Sequence, residues 1–422
     1  MATQVNPPRG MRDFLPGDKA RREGVLALIR STYTAHGFDE IETPVVEDSS
    51  RLHAGLGGDN EKLAFGILKR GLTTDDFAAA TDALDLADLG LRFDLTVPLT
   101  RFYASHHGEL PSVFRAIQIA PVWRAERPQK GRYRQFMQCD IDIIGEAGPL
   151  AEIELLTATL DTLRALGLDG CTIRINDRRL LNSMLTVLGF PVSEHAAVLI
   201  TIDKLDKLGS HGVVAELRDR AFPDAPVEAL EQFLLRPSQP PQSFTEDLIR
   251  ASLPDGVDET AIVELGALGS ALADSSQLVF DPFLVRGMGY YTGTIFEVAH
   301  PDLSYSLGGG GRYDGMIGRF LGTDVPAAGI SLGFERLVDL VTVTADAAAD
   351  AVALVYEDVE PSVLASLKSA LVATGLRVRL ERKPKKLASL LDTLAASGFG
   401  RFAVVTGSTS TVDDLEFRDL GK

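Results

Sequence analysis

The spacing of apolar residues along this chain changes from segment to segment, and the spacing predicts the type of each element. Residues 18–36 carry apolar side chains three and four positions apart and stop at Gly37, which predicts an amphipathic helix. Residues 38–46 alternate and contain Pro44, which predicts a strand at the end or edge of a sheet. We also predict a strand in 91–101, and a second helix at 150–166 followed by a strand at 171–176.

The middle of the chain has a different character. Helical spacing dominates between residues 178 and 275, and strand-like sequence resumes at 278–300. This predicts a helical insertion, residues 178–275, inside a β-rich domain formed by 1–177 and 276–342. Small and polar residues at 343–350 predict a linker. Residues 351–422 then alternate between strand and helix patterns, which is typical of a small α/β domain with a mostly parallel sheet.

The composition limits the class of protein. The chain has 422 residues, 45% of them hydrophobic and 24% charged, as in an ordinary globular protein of two or three domains. No apolar run approaches the roughly 18 residues that span a bilayer. The first residues lack the apolar segment of a secretory signal, and the two cysteines, Cys139 and Cys171, cannot form a disulfide framework. We expect a cytoplasmic protein without a membrane partner.

The charge is unevenly distributed. A net charge of −17 disfavours general binding to nucleic acid, but two basic islands stand out against it. The first, residues 124–134, contains five basic residues and one glutamate. The second, residues 377–386, contains six basic residues and one glutamate. Such islands permit nucleic acid at defined places, and the alternative interpretation is that each is a solvated face.

Residues 123–145 predict a β-hairpin with a basic loop. Arginines there could hold phosphates bidentately while an aromatic ring stacks on a base, which selects Arg124, Glu126, Arg132 and Phe136 as candidates. Side chains two apart on a strand share a face, so the strand after the loop would place two carboxylates, Asp140 and Asp142, together. A surface ladder of salt bridges is the competing interpretation.

Two further segments contain an arginine in an unusual setting. Arg336 lies where a predicted strand turns into a helix, a place where backbone and guanidinium can approach a ligand together. Arg286 lies within apolar sequence, where a charge requires a partner or a ligand. Next to it, Tyr290 and Tyr291 would point to opposite faces of a strand, so that one hydroxyl reaches a pocket. The competing interpretations are an ordinary ion pair and core tyrosines.

Two patterns and several absences complete the candidates. Four consecutive glycines, 308–311, within strand-like sequence predict a close approach of the backbone to a ligand or another strand. Asp94 and Thr96 would share a strand face and could bind an ammonium group.

No GxxxxGK[ST] motif occurs, so arginines and a metal ion would hold phosphates. No histidine pair has zinc spacing, and we predict no protein metal ligand.

These segments, in this order, resemble a class II aminoacyl-tRNA synthetase of the histidyl-tRNA synthetase family. The resemblance covers essentially the whole chain. Residues 37–47 resemble the dimer-interface motif, 122–145 the second class motif and 326–337 the third. The segments LVRGMGYYTGTIFE and GGGGRYDG resemble two histidine-specific signatures. Relatives commonly have LVRGLDYY in the first of these, so Gly289 stands where they have an acidic residue.

The resemblance implies an α+β fold: a six-stranded antiparallel sheet flanked by helices, a helical insertion and a C-terminal α/β anticodon-binding-like domain, assembled as a homodimer. It implies ATP with Mg²⁺, L-histidine and the tRNA for histidine as ligands. The implied ATP-binding residues are Arg124, Glu126, Arg132, Phe136 and Arg336. The implied histidine-binding residues are Asp94, Thr96, Gln138, Asp142, Arg286, Tyr290 and Tyr291. Arg124 and Arg286 would be catalytic, and Arg127 and Gln129 would lie towards the acceptor end of the tRNA.

A second function is compatible with part of this resemblance. A regulatory relative of the family is a non-catalytic, histidine-sensing subunit of ATP phosphoribosyltransferase. Such a sensor would have no use for arginines that hold a triphosphate or for a C-terminal domain that binds tRNA. All three arginines at positions 124, 286 and 336 are present, which favours the synthetase.

Overall fold

The computed structural model of the chain describes residues 5–53, 63–128, 131–236, 244–272, 277–286, 289–341 and 351–420. The chain divides into two compact units, the first formed by Met1–Arg12 and Leu28–Val341 and the second by Asp13–Ala27 and Thr342–Lys422. The predicted linker, residues 343–350, lies outside the described residues. Each unit has its own sheets.

The elements up to residue 341 are as follows. The strands are β1 (Asp39–Glu40), β2 (Val46–Asp48), β3 (Phe65–Leu68), β4 (Ala87–Leu91), β5 (Phe114–Trp123), β6 (Gln135–Ile144), β7 (Thr172–Asp177), β8 (Leu278–Phe280), β9 (Thr294–Ala299), β10 (Gly308–Arg312) and β11 (Ala327–Gly333). The helices are α1 (Pro16–Ala35), α2 (Ser49–Leu52), α3 (Thr74–Ala79), α4 (Thr96–His106), α5 (Leu150–Ala165), α6 (Arg178–Val187), α7 (His195–Ile202), α8 (Leu205–Asp219), α9 (Asp224–Leu234), α10 (Glu246–Ala251), α11 (Glu259–Ala271), α12 (Gly315–Leu321) and α13 (Phe334–Leu337).

An eight-stranded sheet in the order β1-β5-β6-β11-β10-β9-β7-β8 forms the centre of the first unit. Its six inner strands pair antiparallel, which confirms the predicted six-stranded antiparallel sheet. The two short outer strands, β1 and β8, pair parallel with their neighbours. The hairpin of β5 and β6 is long and regular, running in register from Phe114 opposite Ile144 to Trp123 opposite Gln135. A separate three-stranded sheet has the order β2-β4-β3.

The strand predicted in residues 91–101 is wrong. β4 ends at Leu91, and α4 begins at Thr96. Two local features favour the helix. The carboxylate of Asp94 accepts a hydrogen bond from the backbone nitrogen of Val97 at 3.2 Å, which satisfies a free donor of the first turn. Pro98 lies in that same turn, where its missing N–H removes no helical hydrogen bond.

The continuous strand predicted through residues 284–293 is also wrong. β8 ends at Phe280 and β9 begins at Thr294, and the described residues between them lie in turns and irregular structure. The chain turns at Asp281, whose carboxylate accepts a hydrogen bond from the nitrogen of Phe283 at 2.9 Å. Pro282 follows Asp281 directly and has no N–H to donate to a neighbouring strand. Arg286, Tyr290 and Tyr291 therefore do not lie on a strand.

The described residues of 178–275 fold predominantly as helices, α6 to α11, as the periodicity predicts. Helices α6 to α9 bury a shared apolar cluster that includes Leu181, Val198 and Leu230, together with Leu284 and Ile295 of the segments that follow. Packing of this kind holds the helices against the end of the central sheet. The loop after α7 brings Asp203 to the cavity described below.

The second unit contains a four-stranded sheet in the order β13-β12-β14-β15. Its strands are β12 (Ala351–Tyr356), β13 (Arg377–Arg382), β14 (Arg401–Val405) and β15 (Arg418–Asp419), and its helices are α14 (Pro361–Ala373) and α15 (Leu387–Ala396). Strands β12, β13 and β14 pair parallel, which confirms the predicted α/β fold with a mostly parallel sheet. Within the residues described, neither unit contains a helix long and apolar enough to cross a membrane.

Candidate active site

A cavity of about 680 Å³ opens over the central sheet of the first unit. Strands β6, β10 and β11 contribute to its lining, as do the loop of the β5–β6 hairpin and the segment that precedes β9. Twelve predicted site residues line it: Asp94, Thr96, Arg124, Glu126, Arg132, Phe136, Gln138, Asp142, Arg286, Tyr290, Tyr291 and Arg336. Of the remaining two, Arg127 is exposed in the hairpin loop and is not part of the lining, and Gln129 lies outside the described residues.

Arg124 follows directly after β5, where the hairpin strands lead into the loop. Its Nε donates to the carbonyl oxygen of Phe93 at 3.0 Å, and its guanidinium carbon lies 4.9 Å from the ring centre of Phe136. Burial lowers the pKa of Arg124, and the nearby carboxylate of Asp94 opposes that effect. An arginine remains protonated in such a place, so Arg124 presents a buried, fixed positive charge to the cavity.

Arg336 brings further positive charge to the same place. It lies in α13, directly after β11, and its Nε donates to the carbonyl oxygen of Gly131 at 3.3 Å. Burial lowers the pKa of Arg336, and repulsion from Arg132, Arg124 and Arg286 lowers it further. Arg336 is therefore close enough to three other guanidiniums to be repelled by them, and a bound polyanion would relieve that repulsion.

The position of Arg286 depends on a carboxylate that pairs with it and on a glycine that leaves room for it. Its guanidinium donates to Glu297 at 2.9 Å, while its buried Nε has no hydrogen-bond partner within the described part of the chain. A Cβ added at Gly309 would lie 2.6 Å from the guanidinium carbon, so only glycine leaves room for this side chain. Gly289, where relatives commonly carry an acid, is exposed, and Glu297 supplies the ion pair to Arg286.

Three carboxyl groups form the acidic part of the cavity. Asp94, Asp140 and Asp142 are at most 4% exposed. Burial raises the pKa of Asp94 to about 6 and that of Asp142 to about 7, and it raises the pKa of Asp140 well above its usual range. The charges of Asp142 and Asp94 add to the effect at Asp140. Three acids held this close favour a positively charged ligand between them.

Hydrogen bonds orient two of these acidic side chains and a neighbouring amide. The hydroxyl of Tyr313 donates to Asp142 at 2.6 Å. The Nε2 of Gln138 donates to Ser331 Oγ at 2.9 Å and lies 3.3 and 3.4 Å from the two oxygens of Asp140. Two acceptors, Gln138 Oε1 and Asp94 Oδ2, are buried and have no partner among the described residues. Buried acceptors without a partner indicate a ligand that donates hydrogen bonds.

Aromatic rings close the space near the acids. The ring centres of Tyr290 and Tyr291 are 4.8 Å apart, and that of Tyr313 lies 6.1 Å from Tyr290. Both Tyr290 and Tyr291 line the cavity. The predicted strand would have turned only one of them towards it, because neighbouring residues on a strand point to opposite faces. A planar ligand of imidazole size would meet rings and carboxylates here together.

Sequence reasoning missed several lining residues: Asp203, Glu297, Tyr313 and Ser331. Asp140 was predicted to share a strand face with Asp142, and it lines the cavity together with Asp142 and Gln138. Tyr313 lies two residues after the glycine run, just past the end of β10. Asp203 carries no signal in the sequence, because only the packing of the helical insertion brings it to the cavity.

The acidic groups do not form a metal site of their own. Among the residues that the structure describes, no three His, Cys, Asp or Glu side chains are arranged to hold a metal ion. Both cysteines, Cys139 and Cys171, are buried, and no disulfide joins them. The cavity thus combines a cationic part, an acidic part and a row of aromatic rings, without a resident protein metal centre in the described residues.

Comparison with known proteins identifies the family. A family model described as histidyl-tRNA synthetase matches residues 10–337. A histidine–tRNA ligase of Leifsonia xyli subsp. xyli is 59% identical over 421 residues, 98% of each chain. A probable histidine–tRNA ligase of Tropheryma whipplei is 43% identical over 412 residues, 94% of this chain and 95% of the relative.

Two solved structures share the fold. A histidyl-tRNA synthetase from Nostoc sp. PCC 7120 superimposes with a TM-score of 0.75 at 24% identity, covering 99% of this chain and 95% of the other. An ATP phosphoribosyltransferase regulatory subunit/histidyl-tRNA synthetase from Bacillus halodurans gives a TM-score of 0.75 at 19% identity, with 97% and 100% covered. At these identities the structures show the fold alone. With the family match over 10–337 and the identity to both ligases, the chain belongs to the histidyl-tRNA synthetase family.

Proposed function

We propose that this chain is a histidine–tRNA ligase. It joins L-histidine to ATP, forms histidyl-adenylate and pyrophosphate, and then transfers histidine to its tRNA. The observation that carries the proposal is the pairing, in one cavity, of Arg336 and the three guanidiniums that repel it with three buried carboxyl groups. The cations suit a triphosphate, and the acids suit the ammonium and imidazole groups of histidine.

ATP would occupy the cationic part. We assign the α-phosphate and the histidine carboxylate to Arg124, the adenine to Phe136 and Glu126, and the outer phosphates to Arg132 and Arg336. Two features support this order. Phe136 stacks on the Arg124 side chain, so a base on the ring would lie next to that guanidinium. Arg132 is more than half exposed and sits 3.6 Å from Glu126, at the open side where leaving pyrophosphate would depart.

Histidine would occupy the acidic part. We assign its ammonium group to Asp94, Thr96 and Gln138, two of which carry a buried acceptor without a partner. The imidazole would lie against Asp142 and Tyr291, with Tyr290 completing the aromatic wall. Asp142 is already oriented by Tyr313, and a site built from fixed hydrogen-bonding groups rejects analogues that leave those groups unpaired.

The proposed chemistry needs placement and charge more than proton transfer. A carboxylate oxygen of histidine attacks the α-phosphorus, a new P–O bond forms, and the bond to the bridging oxygen breaks to release pyrophosphate. Negative charge grows on the phosphoryl oxygens, where Arg124 and Arg286 would stabilise it. The histidine carboxylate is ionised at neutral pH, so no general base is required for this step. In the second step a terminal ribose hydroxyl of the tRNA attacks the carbonyl carbon of the adenylate. A new ester bond to histidine forms, the bond between the carbonyl carbon and the phosphate oxygen breaks, and AMP and the hydroxyl proton are released.

Mg²⁺ is proposed to arrive with the nucleotide. Since no metal-binding group of three side chains occurs in the described residues, the phosphate oxygens of ATP would be its main ligands, which is common for this ion. When bound, the ion neutralises phosphate charge. The protein's own contribution, from Arg124, Arg286 and Arg336, does not depend on where the ion sits.

Three other assignments belong to the same proposal. Arg127 and Gln129, in the hairpin loop, would meet the acceptor end of the tRNA.

The protein would act in the cytoplasm as a homodimer. Support for the dimer is that β1 lies at the edge of the large sheet and that Pro44 and Val45, just after it, are exposed. Sedimentation equilibrium should give twice the mass of the chain, and a monomer at micromolar concentration would contradict that assignment.

ATP–pyrophosphate exchange with each of the twenty amino acids tests the function. We expect exchange with histidine alone and none without an amino acid. A histidine-sensing regulatory subunit would bind histidine without exchange, so calorimetric binding together with absent exchange would favour that alternative. Exchange with a different amino acid would refute the assignment of the acidic part to histidine.

A further inference from the structure

We propose that Asp140 and Ser331 hold the side-chain amide of Gln138 in one orientation, with its carbonyl oxygen turned to the ammonium group of the substrate. Asp140 is a positioning residue in this inference, which rests on the proposed function. Neither Asp140 nor Ser331 would touch the substrate themselves. Their role would be to determine that the substrate meets the carbonyl oxygen of the Gln138 amide and not its nitrogen.

The strand pairing brings the three residues together. Gln138 and Asp140 are two apart on β6 and therefore share a face. β6 pairs antiparallel with β11, and in that register Ser331 lies directly opposite Asp140. All three side chains line the cavity. Because both strands are inner strands of the large sheet, the backbone gives these groups little freedom to move apart.

The hydrogen bonds select one orientation of the amide. The amide nitrogen of Gln138 faces Ser331 Oγ at 2.9 Å and both oxygens of Asp140 at 3.3 and 3.4 Å. Burial raises the pKa of Asp140, but the charge of a bound ammonium group favours its ionised form. That form only accepts hydrogen bonds, so a flipped amide would place oxygen against oxygen. The carbonyl oxygen of Gln138 is consequently the end left free, and it is buried without a partner in the described structure.

A second acceptor of the cavity lining is also unpaired among the described residues. Asp94 Oδ2 is also buried and also lacks a partner, although its other oxygen is engaged with the nitrogen of Val97. A buried acceptor that stays unpaired is costly, and here two of them belong to side chains lining one cavity. An ammonium group offers three donors and a positive charge and can satisfy both. Without Asp140 and Ser331 the amide could turn its NH₂ end towards that positive charge.

The test compares histidine with imidazole propionate, which is histidine without the amino group. Dissociation constants for both are measured by calorimetry on the full chain. In Asp140→Asn and in Ser331→Ala, we expect binding of histidine to weaken about tenfold or more and binding of imidazole propionate to change by less than about twofold. Ser331→Ala keeps the charge of Asp140, so it separates amide orientation from simple electrostatic attraction.

Asp142→Asn is the matched control, because it makes the same substitution two residues away on the same face. It should weaken both ligands together, since Asp142 is assigned to the imidazole. A loss confined to Asp140→Asn would show that charge alone matters and would overturn the positioning role. Equal losses for both ligands in the Asp140 and Ser331 variants, or no loss in either, would also overturn it. If the unaltered protein binds no histidine, the proposed function itself fails.

Discussion

Two glycines on neighbouring strands leave the space that two functional side chains occupy. A Cβ at Gly309 on β10 would lie 2.6 Å from the guanidinium carbon of Arg286. A Cβ at Gly329 on β11 would lie 1.9 Å from Oδ1 of Asp142. Real Cβ atoms do not approach other atoms this closely, so a larger residue at either position would displace the charged group. The glycine run predicted a close approach of the backbone, and the residues it approaches became known only from the fold.

Gly309→Ala should displace Arg286. Because a displacement of about 1 Å at a reacting group costs roughly a hundredfold in rate, we expect histidine-dependent ATP–pyrophosphate exchange to fall by about that factor. Histidine binding should change only a few-fold, since the acidic part of the cavity is untouched. Gly315→Ala is the matched control, because a Cβ there meets nothing within 4 Å. Similar exchange rates in the two variants would contradict the role given to Gly309.

The raised pKa values of the acids predict a pH dependence of histidine binding. Asp142, with a pKa near 7, and Asp94, with a pKa near 6, must be ionised to attract a cationic ligand. Binding should therefore weaken as the pH falls from 8 to 6, while ATP binding changes less. In Asp142→Asn the titration near pH 7 is lost, while those of Asp94, Asp140 and the ligand remain, so the profile between pH 6 and 8 should change shape. Superimposable profiles for the two proteins would refute this.

At the scale of elements, the β5–β6 hairpin was predictable and α4 was not. A strand-like segment of ten residues lies on each side of a basic loop, which predicts an antiparallel pair of strands. The structure confirms this pair. Residues 91–101 show the same kind of pattern but form a helix from Thr96 onwards. The deciding features are one hydrogen bond to Asp94 and a proline in the first turn. Such local contacts outweigh an alternating pattern in a short segment.

The hairpin loop gives a prediction about transfer to tRNA. Arg127 is exposed and outside the cavity lining, so Arg127→Ala should leave ATP–pyrophosphate exchange within about twofold. Charging of tRNA should fall by about tenfold, because an exposed arginine in a basic loop contributes mainly through contact with phosphate. Arg70→Ala, which removes another exposed arginine away from the cavity, serves as the control. A larger loss in exchange than in charging would overturn the assignment.

At the scale of the whole molecule, the central sheet converts residues distant in sequence into one cavity. Asp94, Arg124, Arg286 and Arg336 come from four segments spread over more than two hundred residues, yet all line the same space. The resemblance to a family predicted this meeting, because it supplies the order of segments and the sheet they form. Periodicity and charge alone predicted the elements and the two basic islands, but not which charges face one another.

The parts that sequence did not predict share a physical cause. Asp203 and Glu297 depend on how the helical insertion and β9 pack against the cavity, and that packing involves contacts between residues far apart along the chain. The hydrogen bonds of Gln138 with Asp140 and Ser331 depend on the register between β6 and β11. Register can be read only once both strands and their neighbours are placed.

The most direct test of the central claim is a crystal structure of the protein with a non-hydrolysable sulfamoyl analogue of histidyl-adenylate. We predict that the imidazole of the analogue lies between Asp142 and Tyr291 and that its ammonium group lies at Asp94 and Gln138. The sulfamoyl group should lie between Arg124 and Arg286. Adenine should stack on Phe136. An analogue bound elsewhere, or bound with its imidazole among the arginines, would contradict the account.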